Sequence, residues 1–251
     1  MAEKSSVITA AVLVIGDEIL SGRTKDRNVG YIAEYLTNIG IELREARVVP
    51  DVEAEIVAAL DALRGRYGYV FTTGGIGPTH DDITADSVAK AFGVPIEENP
   101  RALAMMMERY LPADLTAARR RMARIPVGAD LLENPISKAP GFRIGNVIVM
   151  AGVPNIMQAM LDSAAAGLET GERIIAETIE AGGIPEGRYG GALGEIAAAR
   201  PFVSIGSYPA FADGRFRNQI VVRGKDVAEI AAAREAITAM LAALREYDRA
   251  P

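Results

Sequence analysis

Residues 7–15, Val-Ile-Thr-Ala-Ala-Val-Leu-Val-Ile, are apolar almost without interruption and lead through Gly16 into the acidic pair Asp17-Glu18. Nine residues are too few to cross a bilayer, and the run lacks the alternation of a strand with one wet face. It predicts a strand buried on both sides, as the middle of a parallel sheet requires. A parallel sheet needs crossover helices, and the chain supplies them. Over 28–38, Val29, Ile32, Ala33 and Leu36 form a helical stripe closed by Gly40. A strand is expected over 41–49. Asp51 is in position to cap a helix striped by Ile56, Ala59, Leu60 and Leu63, followed by a strand over 69–73 and a helix over 84–92. Helical pieces broken by Pro112 lie between residues 101 and 124, a pair of extended segments over 141–151, and a closing helix over 155–166. The expected fold class is α/β, a three-layer α/β/α arrangement around a mostly parallel sheet.

The rhythm changes after a glycine-flanked stretch at 167–173. Strands over 173–179, 202–208 and 216–222, a helix over 190–199 and a last helix over 226–245 give the order βαββα, with an Asp213-Gly214 turn before the third strand. Ile237, Met240, Leu241 and Leu244 mark the buried side of the last helix. The expected division is therefore 1–170 for the larger domain and 171–251 for a small α+β domain.

Composition narrows the chemistry. The chain has no Cys and one His, which excludes disulfides, thiolate metal sites and a cysteine nucleophile. Catalysis has to rest on carboxylates, hydroxyls, Lys or Arg, backbone amides and a hard metal. With 33 acidic against 27 basic residues the net charge is −6, unfavourable for nucleic acid, so a small-molecule partner is expected. The acidic pair after the first strand stands where a leader would place small residues for cleavage; residence is expected in the cytoplasm, with no membrane partner.

In an open parallel sheet, ligands bind beyond the carboxyl ends of the strands. There this sequence places Gly16-Asp17-Glu18, then Pro50-Asp51, then Thr72-Thr73-Gly74-Gly75-Ile76-Gly77-Pro78-Thr79-His80-Asp81-Asp82-Ile83-Thr84. Gly74, Gly75 and Gly77 leave backbone N–H groups open to a phosphate, and a helix starting at Thr84 adds its positive end. The facing carboxylates would repel that anion without a cation between them. Mg²⁺ takes one or two carboxylates plus phosphate oxygens and waters, so the expected cofactor is Mg²⁺ or another divalent cation. Asp17, Glu18 and Asp82 are the candidate metal ligands, and Asp51 and Asp82 the candidate catalytic residues. Asp82 and Thr84 have an alternative role as helix caps. The candidate ligand contacts are Thr73, Gly74, Gly75, Gly77, Pro78, Thr79, His80, Thr84, Asn134, Lys138 and Gly152; His80, Asn134 and Lys138 fit turn or incidental roles equally well. Arg119, Arg120, Arg121 and Arg124 fit either a solvated face or an anion clamp. Met105, Met106 and Met107 suit a core or an oligomer interface.

The set Gly16-Asp17-Glu18-Ile19-Leu20-Ser21-Gly22, Val49-Pro50-Asp51 and Gly-Gly-Ile-Gly-Pro-Thr-His-Asp-Asp-Ile-Thr over 74–84 resembles the molybdopterin-binding domain of molybdenum cofactor biosynthesis. With Asn134-Pro135, Ala139-Pro140-Gly141 and Gly152-Val153-Pro154 it is similar to the amino-terminal domain of the competence/damage-inducible protein A family. The resemblance covers roughly residues 7–168. It implies a three-layer fold, binding of molybdopterin or a nucleotide at the glycine loop, and homo-oligomers. It also implies, in the competence branch, metal-dependent hydrolysis of a nucleotide diphosphate such as ADP-ribose. Molybdopterin binding or cofactor biosynthesis, and a non-catalytic nucleotide-binding module, are the alternatives. Ile76 stands where cofactor-synthesis members commonly carry Thr, and residues 173–251 are too few for the deamidase domain of full-length competence proteins. The segment around Ile205-Gly206-Ser207-Tyr208-Pro209 looks more like that following this domain in FAD-synthetase-type proteins.

Overall fold

The computed structural model describes residues 7–212 and 214–247. Two compact units divide the chain, Met1–Gly171 and Glu172–Pro251.

The first unit is built on the apolar run. Strand β1 (Thr9–Ile15) lies between β2 (Glu42–Val49) and β3 (Tyr69–Thr73), parallel to both. Between them run α1 (Asp17–Leu20), α2 (Asn28–Asn38) and α3 (Glu53–Arg64). Helix α4 (Thr84–Phe92) follows, then a small antiparallel pair, β4 (Ile96–Glu98) and β5 (Arg124–Pro126), that encloses α5 (Pro100–Met107), a 3₁₀ turn at Pro112–Asp114 and α6 (Ala117–Arg121). Strands β6 (Asp130–Leu132), β7 (Gly141–Ile144) and β8 (Val147–Met150) precede α7 (Pro154–Ala165). The sheet order is β2-β1-β3-β8-β7-β6, with β8 parallel to β3 and the β7 and β6 edge antiparallel.

Alternate residues of β1 serve opposite faces, as strand geometry requires. Ala11, Leu13 and Ile15 pack with Ile56, Leu60 and Leu63 of α3 and Val88 of α4; Ala10, Val12 and Val14 pack with Ile32 and Leu36 of α2 and Met157, Met160 and Leu161 of α7. Helices thus cover both sides, giving three layers. Each large aliphatic side chain removed from water contributes about 1.5–3 kcal/mol, which stabilises a sheet that neither face could hold alone.

One expected cap is absent. The N-cap of helix α3 is Val52, which makes no side-chain cap, and Asp51 instead accepts a hydrogen bond from the Asp17 amide, 2.9 Å away. The short β4–β5 pair flanks the segment expected to be helical and is not itself an expected element; its three-residue strands carry no period to read, and Pro126 ends one of them.

The second unit comprises β9 (Ile175–Gly182), α8 (Glu186–Ala198), β10 (Val203–Tyr208), the ribbon β11 (Phe211–Ala212) and β12 (Arg215–Phe216), β13 (Asn218–Gly224) and α9 (Val227–Tyr247). Its antiparallel sheet runs β10-β13-β9, the small α+β arrangement read from the sequence. Asp213, half of the expected turn, lies outside the described residues. Ile220 and Val222 meet Ile230, Ile237 and Leu241 of α9 and Tyr189 and Leu193 of α8. Asp226 caps α9, its carboxylate accepting the amides of Ala228 and Glu229.

Candidate functional site

Because β1, β2, β3 and β8 are parallel neighbours, their carboxyl ends open on one edge. A cleft of about 540 Å³ lies there, lined by Glu18, Asp51, Gly74, Gly75, Gly77, Pro78, Asp81, Asp82, Asn134 and Gly152 among others. Residues from distant parts of the chain are thus brought together by strand order.

The glycine loop has little tolerance for side chains. Gly74 has φ +102, and a Cβ there would lie 2.1 Å from the Ile15 carbonyl oxygen; Gly75 has φ +67, and a Cβ would lie 2.2 Å from the Thr84 hydroxyl. Thr84 is fully buried and locks the loop onto α4: its hydroxyl donates to the Gly74 carbonyl at 2.9 Å and its amide to the Gly75 carbonyl at 3.0 Å. With the carbonyls engaged, the N–H groups of Gly75, Ile76 and Gly77 have no protein partner among the described residues. Ile76 packs against both faces of the core and anchors the loop between them.

Asp82 and Thr84 do not cap α4; its N-cap is Ile83, without a side-chain hydrogen bond. The Asp82 carboxylate instead accepts the Thr79 amide at 2.8 Å and the Thr79 hydroxyl at 2.5 Å, folding over Gly77, where a Cβ would meet it at 2.6 Å. Glu18 folds back over Gly16 in the same manner. Asp51 is partly buried; burial pushes its carboxyl above the usual range, the Asp17 amide opposes this, and the charges of Asp17, Glu18 and Asp81 add to it. Among the described residues no three acidic or His side chains form a ready-made metal site. Mg²⁺ would have to draw its remaining ligands from phosphate and water, which is its usual habit.

Other candidates take different places. Thr73 is buried and lines a recess beside the cleft rather than the cleft itself. The His80 side chain is 99% exposed, its Nδ1 4.0 Å from the Asp81 carboxylate. Asn134 is buried with its amide spent on the turn: it donates to the Ala139 carbonyl at 2.9 Å and to Ser137, and accepts the Ile136 and Ser137 amides. Lys138, at φ 63, pairs with Glu108 at 2.6 Å and does not line the cleft.

The arginines separate into roles that their spacing does not reveal. Arg124 grips Asp86 with two bonds of 2.9 and 2.6 Å, Arg120 pairs with Glu98, and Arg119 lies over the Tyr110 ring. Arg121 alone reaches the loop, its guanidinium 3.4 Å from the Asp82 carbonyl and its Nε buried without a partner. Asn28 is a further polar group that helical periodicity hides: it opens α2, is buried, and donates to the Gly152 carbonyl at 2.8 Å.

Comparison with known proteins gives matches over both units. Residues 11–169 match the family described as a probable molybdopterin binding domain, and residues 177–248 match the FAD synthase middle domain. A protein of Aeropyrum pernix is 33% identical over 250 residues, covering 96% of this chain and 92% of its own. One of Pyrobaculum calidifontis is 35% identical over 215 residues, 80% of each chain. The crystal structure of a protein CinA with unknown function from Thermoplasma acidophilum aligns with a TM-score of 0.60 at 38% identity, covering 63% of this chain and 96% of that one.

Proposed function

The chain belongs to the molybdopterin-binding domain family, and from that premise we propose that its cleft binds a phosphate-bearing pterin or nucleotide, with Mg²⁺ held between the phosphate and the carboxylates. The observation that carries this reading is the glycine loop, with three consecutive N–H groups free of protein partners and two positions where a Cβ would collide with fixed atoms. Consecutive free amides facing a cleft suit a phosphate. In this reading Gly75, Ile76 and Gly77 would hold the phosphate, while Asp82 and the Asp17-Glu18 pair would supply one or two metal ligands. The metal, when bound, offsets charge on the phosphate and polarises its oxygens.

Hydrolysis of a nucleotide diphosphate such as ADP-ribose is the reaction this arrangement supports best, and the specific observation in its favour is Asp51. A partly buried carboxyl with an upward-shifted pKa, fixed by the Asp17 amide, suits proton transfer from a water attacking the diphosphate. A thermal-shift screen of ADP-ribose, FAD, ATP and molybdopterin, with and without Mg²⁺, tests binding. At 100 times its Kd a ligand adds about 2.7 kcal/mol, a rise of about 5–10 °C. No shift with any of the four contradicts the reading; a shift without turnover of ADP-ribose retains binding and removes hydrolysis.

A further inference from the structure

The three-stranded sheet of the second unit runs β10-β13-β9 and has two edge strands. An edge strand is a template for pairing with another chain, and proteins blunt it with charge, proline or a bulge. Strand β9 is blunted: it carries Glu177 and Glu180, and its register against β13 shifts between Asn218 and Gln219. Strand β10, Val-Ser-Ile-Gly-Ser-Tyr, has no charge, no proline and an unbroken register from Val203 to Tyr208.

The hydrogen bonds fix which backbone groups of β10 face outward. The Val203 amide turns back to the Arg200 carbonyl at 3.3 Å, and the Arg217 amide reaches the Ala210 carbonyl at 2.8 Å, so even-numbered residues bond towards β13 and odd-numbered ones point away from it. The N–H and C=O groups of Ile205 and Ser207 therefore stand on the open edge, and no partner is found for them among the described residues. The next outward positions on either side, Pro201 and Pro209, have no N–H to offer. The pairable stretch is thus bounded symmetrically about Ile205.

That symmetry selects the occupant. When a second copy lies antiparallel with Ile205 opposite itself, each Ile205 N–H meets the other Ile205 carbonyl, each Ser207 N–H meets a Val203 carbonyl, and the prolines end the ladder at both sides. The same register sets Phe202, just before the strand, opposite Tyr208; these rings are 76% and 46% exposed, and aromatic cross-strand pairs are favourable. The small pair Ser204 and Gly206 lies between them. From these observations we propose that β10 pairs with β10 of a second copy of this chain across a two-fold axis, joining the two three-stranded sheets into one.

Helix α8 is built to allow this approach. The Glu186 carboxylate at its start accepts the Ser207 hydroxyl of β10 at 2.5 Å, and Gly190 and Gly194 continue the row of Glu186 at four-residue steps. A Cβ at Gly187, Gly190, Gly191 or Gly194 would meet nothing within 4 Å, so no contact within the chain requires these glycines, and each weakens the helix relative to Ala. Paired edge strands lie about 4.8 Å apart, whereas helices pack at about 8–10 Å, so the helices over two joined edges are crowded unless their facing sides are bare. The glycine row supplies that clearance.

The chain has no Cys, so introduced thiols report contacts without background. In the proposed register position 202 of one copy lies about 4.5 Å from position 208 of the other between Cα atoms, within disulfide range, while the two 202 positions lie about 20 Å apart. Phe202→Cys with Tyr208→Cys in the full chain is therefore expected to give mainly covalent dimer with oxidised glutathione as the oxidant, read on a non-reducing gel, while each single variant stays uncrosslinked. Sedimentation velocity reads two further variants: Ser204→Lys, which charges the edge, and Gly190→Arg with Gly194→Arg, which fills the glycine row and strengthens the helix. Each is expected to weaken dimerisation at least 10-fold while keeping the far-ultraviolet circular dichroism of wild type. Cross-linking of Phe202→Cys alone as efficient as that of the pair, no cross-linking of the folded pair, or wild-type assembly in both charged variants overturns the proposal.

Discussion

Asp82 faces the cleft and fastens the loop through Thr79, and these two roles make opposite demands on substitution. Asn keeps an oxygen for the Thr79 amide and loses the charge. Asp82→Asn is therefore expected to hold its melting temperature within a few degrees while Mg²⁺-dependent binding or turnover falls about 10-fold to 1,000-fold; calorimetry with and without Mg²⁺ reads this, and wild-type metal dependence would leave the residue a purely structural role. At Asp51 the folded carboxyl titrates above its ordinary value of 3.8, so it binds its proton more readily folded than unfolded. Stability is then lost as pH rises through the raised value, and the penalty persists at neutral pH. Asp51→Asn, which keeps an acceptor for the Asp17 amide, is expected to be more stable than wild type at pH 7, by a small margin because solvent screens the group. The gain disappears by about pH 3, where both forms are neutral. Melting curves across that range test the sign. Gly74→Ala would force a Cβ to 2.1 Å from a backbone oxygen at positive φ and is expected to cost about 3 kcal/mol, seen as a lowered denaturation midpoint.

The elements of the first unit are legible in the sequence where one physical signal dominates. The stripe of Ile32 and Leu36 is readable because both side chains must face the same sheet, and both are fully buried. Leu36→Ala is accordingly expected to cost about 2–5 kcal/mol, measured by urea unfolding. Parallel order then places the acidic pair, Asp51 and the glycine loop on one edge without further information. Local chemistry is harder to read. An Asp before a helix suggests a cap, yet Asp51 and Asp82 spend their carboxylates on Asp17 and Thr79, partners set by tertiary approach and by the loop's own turn. Four arginines spaced as a basic face resolve into three paired groups and one that reaches the loop, since the acidic residues and the ring that engage them come from other segments or from the turn before α6. Asn28 reads as one more polar helical residue, and only its burial against Gly152 sets it apart.

The molecule divides at the glycine-flanked stretch, with one unit ending at Gly171. We propose that the two units are separate folding domains, 1–170 and 171–251; limited proteolysis is expected to release a stable fragment ending between residues 167 and 173, and resistance there would contradict it. Self-association is a second proposal at this scale: Met107 and Leu111 stand exposed near the Met-rich helix, and light scattering is expected to report more than one chain per particle. Among the described residues no helix is long and apolar enough to cross a membrane. The central claim is that the glycine loop receives a phosphate. It is tested most directly by following backbone amide resonances during titration with ADP-ribose and Mg²⁺. The largest shifts are expected at Gly75, Ile76 and Gly77, whose N–H groups have no protein partner; saturation that leaves those three amides unmoved would contradict it.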